Sequence, residues 1–258
     1  MNPRPHQRAG FTLIELLVVV SIVGLLIALL LPALGSARAS VRATMCLSNQ
    51  RQTAAALINY TAEHRGRFVY YATTAPATPG KQWWFGYQSD NSTAMNRPLD
   101  KTRGPLASYL GDTIDAALAC SDFPADDDNF RAKFAVRSAH FGINGAIVPP
   151  FENVEPRLID EVKQPSDVFA FADAVHQQVA PVFFEPHSVS YRRPGKVTGT
   201  AHYRHDNRAN LAYLDGHAEP LAPPPNETVW QTLADAPLTN LDSSDGIDTR
   251  YGFDTWTK

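Results

Sequence analysis

The sequence predicts an α+β protein. A very long amino-terminal helix, its first half fit to cross a membrane, packs through its second half on an antiparallel β-sheet. Three observations carry this expectation. An uncharged run of 19 residues extends from Leu16 to Leu34. No run of turn residues follows between Ala33 and His64, where Ala, Arg, Gln and Leu dominate, all good helix formers. Beyond residue 66 the pattern changes to short apolar runs between Gly-, Pro- and Asp-bearing turns, the order of elements expected of a helix followed by a meander.

The helix comes first. Residues 1–10 form a short basic leader ending in Gly10, and Phe11 follows it. At 1.5 Å per residue, the run from Leu16 matches a hydrocarbon core of about 30 Å, and a membrane part of about 13–34 is expected. Glu15 stands at its edge, where an acid costs about 2–3 kcal/mol on insertion scales and is a functional suspect by default. Arg4 and Arg8 precede the run while Arg38, Arg42 and Arg51 follow it, so charge asymmetry does not set an orientation. Pro32 offers a kink site. Farther on, Val41, Met45, Ala54, Leu57 and Ile58 can supply a moderately apolar side, and His64-Arg65-Gly66 reads as a stop. A helix over 11–65 would be about 80 Å long, and its second half must bury a face against the rest of the chain.

Residues 66–258 form the expected exported domain. Strand candidates are 68–71, 83–85, 134–136, 168–171 and 182–184. The clearest signal is Asn210–Leu214, then Asp215-Gly216, then His217–Glu219, read as a hairpin with a two-residue type I′ turn. Regions 74–82, 88–104 and 121–130 read as loops, and 106–110 as the start of a short helix.

Composition narrows the function classes. Residues 1–62 carry five Arg and one acid, a net +4, so the remainder of a chain at −3 carries −7. An acidic domain is a poor nucleic-acid binder, because phosphate contact needs basic patches. Two cysteines, Cys46 and Cys120, both lie beyond the membrane segment. They are either a bridge or two small buried thiols. No C-x-x-C is present, which removes zinc-ribbon and thioredoxin-like readings.

No nucleophile motif of the G-x-S-x-G, S-x-x-K or H-E-x-x-H kind occurs, and no enzyme is expected. His202, His205, Asp206, Asp215 and His217 fall within sixteen residues. Metal spacing is weak there, and hydrogen bonding around the hairpin, without a metal, is the expectation. Asp126-Asp127-Asp128 reads as a solvated loop. Asp242, Asp245, Asp248 and Asp254 are weak calcium candidates without EF-hand spacing, and no cofactor is otherwise expected. Trp83-Trp84-Phe85 reads as a partly buried strand, with a carbohydrate-stacking platform as the alternative.

Gly10-Phe11-Thr12-Leu13-Ile14-Glu15, the long apolar run and Pro32 together resemble the leader of type IV prepilins and type II secretion pseudopilins. A secretory signal peptide has a shorter apolar region, although Ser36-Ala37-Arg38-Ala39 mimics a cleavage site. The resemblance implies cleavage after Gly10 by a prepilin peptidase and methylation of the Phe11 amine. It also implies pairing of Glu15 with a neighbouring subunit's amino terminus, and a helix packed on a sheet. Its implied partners are the peptidase, other pilin or pseudopilin subunits and an inner-membrane assembly platform. The implied topology is a single inner-membrane pass, amino terminus cytoplasmic and carboxyl-terminal domain periplasmic. Some major pseudopilins hold calcium in carboxyl-terminal loops.

A second resemblance touches the middle and the far end. His205, nine residues, then Asp215-Gly216 resembles the H-X9-DG signature of a pseudopilin-like family found chiefly in Planctomycetes and Verrucomicrobia. Cys120-Ser121-Asp122, Ala172-Asp173, Arg204-His205 and Ala209-Asn210 fit the same family, which usually has proline where Ser121 stands. This implies architecture more than activity. The leading expectation is a structural filament subunit. The alternative is a membrane-anchored ectodomain that binds a surface or polysaccharide partner and uses the leader only for sorting.

Overall fold

Helix α1 runs from Leu13 to Glu63, 51 residues, about 75 Å at 1.5 Å per residue. The computed structural model describes residues 12–74, 79–149, 154–179, 182–189, 200–223, 231–233 and 236–239. The helix opens on a capping box. The Thr12 hydroxyl accepts from the Glu15 N–H at 3.2 Å, and the Glu15 carboxylate accepts from the Thr12 N–H at 2.8 Å. It continues through Pro32, as the helical pattern on both sides outweighs one lost ladder bond. It stops where Arg65 and Gly66 turn left-handed, at φ 57° and 80°, and the Gly66 N–H closes on the Thr61 carbonyl at 2.8 Å.

The chain divides into two compact units, Met1–Val41 and Arg42–Lys258, and α1 contributes to both. In the first unit the large apolar side chains from Leu13 to Leu34 are 47–84% exposed. The helix is long and apolar enough to cross a membrane. In the second unit α1 buries Cys46, Gln50, Thr53, Ala54, Ala56, Leu57 and Thr61, one face at three- and four-residue spacing. The expected apolar side is corrected in part. Ala54 and Leu57 are buried, but Val41 and Met45 are each 59% exposed. The inward face is richer in polar groups than hydrophobic patterning can find: Gln50 and Thr53 bond across the interface, and Thr61 Oγ1 donates back to the Ile58 carbonyl of its own helix. Thr53 Oγ1 donates to the Ala117 carbonyl at 3.1 Å and Asn49 Nδ2 to the Ala119 carbonyl at 3.0 Å.

Two sheets follow. Strands β1 (Ala72–Thr73), β2 (Lys81–Trp83) and β3 (Gly86–Gln88) form a small antiparallel sheet. The expected strand at 68–71 lies just ahead of β1, and the Trp83–Phe85 run is the end and turn of a hairpin. The expected strand at 134–136 reduces to one bridge between Phe134 and Arg97. In each case the apolar run is continuous because its residues plug the core, with Phe68, Trp84, Phe85 and Phe134 at most 1% exposed.

The large sheet contains β4 (Phe141–Asn144), β5 (Phe169–Val179), β6 (Val182–Phe184), β7 (Ser188–Val189) and β8 (Thr200–His202). It is completed by β9 (Ala209–Tyr213), β10 (Ala218–Leu221), β11 (Gln231–Leu233) and β12 (Ala236–Thr239). All pairings are antiparallel except β4 with β7. The fold is thus α+β, with the pilin-like order of a long helix and then sheets.

Strand β5 is the spine, and its partners change part-way along. On one side, Phe171 and Ala172 pair with Ala212 and Leu211 of β9, whereas Ala174 and Val175 pair with Ala201 and Thr200 of β8. Asp173 sits at the changeover. Residues 203–208 leave the sheet there as an excursion and turn back at Asp206-Asn207, both left-handed at φ 50° and 57°. Mutual hydrogen bonds of 3.0 Å between His205 and Arg208 close that turn.

The hairpin between β9 and β10 exists as expected, but its turn is different. Only Gly216 has positive φ, 90°; Asp215 does not. The Tyr213 N–H bonds the His217 carbonyl at 2.9 Å and the Gly216 N–H bonds the Tyr213 carbonyl at 3.0 Å. The loop therefore has three residues, Leu214-Asp215-Gly216, with the glycine in the left-handed position such loops require. Asp215 Oδ1 accepts the His217 N–H at 3.0 Å, a local bond that stabilises the longer loop.

Candidate functional site

Two regions carry chemistry. The first is the start of α1. Gly10 and Phe11 lie outside the described residues. Next to them, Glu15 is satisfied within its own chain, since its carboxylate accepts from both the backbone N–H and the hydroxyl of Thr12 at 2.8 Å. An acid here therefore caps its own helix.

The second region lies in the second unit, where α1, the 120–122 segment, β5 and the excursion before β9 meet. Cys46 and Cys120 are both buried and carry free thiols. The sequence could place them as a pair, and the fold does bring them together. It adds His205, so that the two sulfur atoms and an imidazole nitrogen all lie within 4.8 Å of one another. His205 Nε2 stands 3.4 Å from Cys120 Sγ and 3.2 Å from Asp173 Oδ2. Its Nδ1 faces Asp122 Oδ2 at 3.1 Å, and Asp122 is in turn paired with Arg42.

Asp173 is fully buried, and three groups besides His205 converge on it. Gln50 Nε2 donates to Oδ1 at 2.8 Å, Arg204 Nη2 lies 3.0 Å from the same oxygen, and the Asn210 N–H donates to Oδ2 at 2.8 Å. Burial alone would raise the Asp173 carboxyl, but the charge of Arg204 and the bond from His205 hold it below the ordinary range. Burial likewise works against charge on His205, yet its bonds to Asp173 and Cys46 prevail and lift it to about 9. The thiols are driven apart. The bond from Cys120, opposed by burial and aided by His205, lowers Cys46 to about 5, while burial and the neighbouring Cys46 push Cys120 upward. The arrangement can therefore hold a thiolate beside an imidazolium, in a shell of two carboxylates and two arginines.

His205 is thus a hydrogen-bonding residue, but its partners are Asp122, Asp173 and Cys120 rather than the other members of the 202–217 cluster. Asp215 bonds His217, and Gly216 shapes the turn. Gln50, Asp122, Asp173, Arg204 and Asn210 had no place among the predicted site residues. For all but Gln50 the signal was present all the same: the four short segments 120–122, 172–173, 204–205 and 209–210 converge on this one cluster. Asp242, Asp245 and Asp248 lie outside the described residues. Trp83, Trp84 and Phe85 are 6%, 0% and 1% exposed, so burial removes them as a stacking platform.

Residues 5–31 match the family model described as the prokaryotic N-terminal methylation motif. No curated protein and no solved structure matches the chain. The chain carries a prepilin-type leader ahead of a long apolar helix, which implies processing by a prepilin peptidase and anchorage in a membrane.

Proposed function

We propose that this chain is a structural, non-enzymatic subunit of a type II secretion pseudopilus or a type IV pilus-like filament. It is cut after Gly10 and methylated on the Phe11 amine. Before assembly it crosses the inner membrane once, with its amino terminus cytoplasmic and residues 66–258 periplasmic. The observation that carries this reading is the methylation-motif match over residues 5–31, coupled to a 51-residue helix whose apolar first half has no partner among the described residues. Lipid covers that half before assembly, and other subunits' helices cover it afterwards. An assembly platform supplies the extraction. The H-X9-DG resemblance agrees with this reading, since His205 and Asp215-Gly216 both do structural work.

Mass spectrometry of the amino terminus of membrane-extracted protein tests the processing step. The mature chain is expected to begin at N-methyl-Phe11. A chain beginning at Met1, or one cut near Ala39, would overturn the proposal.

A further inference from the structure

We propose that Cys46, Cys120 and His205 form a Zn2+ site that fastens the exported part of α1 to the sheet domain. The three donors come from α1, from the 120–122 segment and from the excursion before β9, so one ion would tie together three elements far apart in sequence. Two sulfurs and an imidazole are a zinc donor set rather than a calcium or magnesium one, as those ions take oxygen ligands.

The geometry supports this. With Zn–S near 2.3 Å and Zn–N near 2.0–2.1 Å, a tetrahedral ion sets its sulfur and nitrogen ligands about 3.5 Å apart. Cys120 Sγ and His205 Nε2 are 3.4 Å apart, and all three donor atoms fall within 4.8 Å. The imidazole is oriented as a zinc ligand needs. Nε2 faces the sulfurs, and Nδ1 faces the Asp122 carboxylate at 3.1 Å, which fixes the tautomer with Nδ1 protonated. Asp173 Oδ2, 3.2 Å from Nε2, is the adjacent carboxylate for the fourth position.

Charge also closes. Two thiolates balance Zn2+, and Asp122 and Asp173 are matched by Arg42 and Arg204. The site is thus neutral as a whole, the condition under which buried charges are tolerated. Binding displaces the proton between Nε2 and Asp173 and those on the thiols, and releases them to solvent.

The test uses the full chain, extracted in detergent without reductant. Elemental analysis and thiol counting precede chelation, and the metal-free protein is then titrated with Zn2+ or Co2+. One zinc per chain is expected, with a Co2+ form showing the visible bands of a tetrahedral ion and thiolate charge transfer. Cys46→Ser and Cys120→Ser should abolish both. Asp122→Asn, which leaves all three ligands in place, should weaken zinc binding by about 10- to 100-fold. Should the serine variants fail to fold, the Co2+ spectrum of the unaltered chain decides. A closed Cys46–Cys120 disulfide would overturn the proposal. So would two free thiols that take up no metal, or zinc bound equally well by Cys46→Ser.

Discussion

Single residues do the most unusual work in this chain, and Glu15 and Asp173 are the two extremes. Glu15 is at the edge of the apolar segment and holds its own helix cap through Thr12. In a filament that carboxylate would exchange Thr12 for the Phe11 amine of a neighbour, a stronger, charge-assisted partner. Glu15→Ala is therefore expected to enter the membrane normally, to fray the first turn, and to be lost from filaments. Comparing variant and unaltered chain in membrane and sheared-filament fractions checks this; equal filament incorporation contradicts it. Asp173, at the other extreme, is buried under Gln50, Arg204, His205 and Asn210. Asp173→Ala strands a buried guanidinium and is expected to destabilise the fold by about 3–5 kcal/mol, measured by urea unfolding. Glu15 was legible in the sequence because a lone acid beside an apolar run stands out. Asp173 was not, because its four partners lie far away in sequence and nothing local distinguishes it from a surface aspartate.

Among the elements, legibility follows the range of the interactions. Helix α1 was readable almost to its ends, since length, composition and stop signals are local. The face it buries was not, because Gln50, Thr53 and Thr61 are polar: Gln50 and Thr53 are held inward by bonds to other segments, and Thr61 is satisfied by its own helix. The β9–β10 hairpin was readable from Asp215-Gly216 between two apolar runs, but a local reading chose a two-residue turn. The register Ala212↔Ala218 makes it a three-residue loop. Gly216 nonetheless keeps its role. An added Cβ would meet nothing closer than Ile58 Cδ1 at 4.0 Å, so the cost of replacing it is conformational, from φ 90°, rather than steric. Gly216→Val is expected to cost about 1–3 kcal/mol, and Gly216→Asn clearly less, since asparagine tolerates the left-handed region. Thermal unfolding of the two variants side by side measures the difference.

The whole molecule adds a pH dependence. His187 is buried among the rings of Tyr71, Trp83, Phe85 and Phe134. Burial first, and then the charges of Lys133, His176 and Arg97, hold its pKa well below the ordinary 6.5. His176 is lowered to about 4, again chiefly by burial and then by Lys133. A histidine with a depressed folded pKa leaves the unfolded chain to take up protons first. The stability it contributes is complete above about pH 6.5 and is lost as pH falls toward 4, by up to about 1.4 kcal/mol per pH unit for each histidine. Urea midpoints of the detergent-extracted chain should fall between pH 7 and pH 5, and His187→Phe should flatten that slope.

At the same scale lies the claim that this is a filament subunit rather than an anchored ectodomain. The decisive measurement is to express the chain with a prepilin peptidase and an assembly platform, shear the cells, and look for the processed protein in the filaments released, by electron microscopy and immunolabelling. The account predicts labelled filaments whose subunits begin at Phe11. A processed chain that stays wholly in the membrane fraction, while other pilins assemble and shear off without it, would contradict the account.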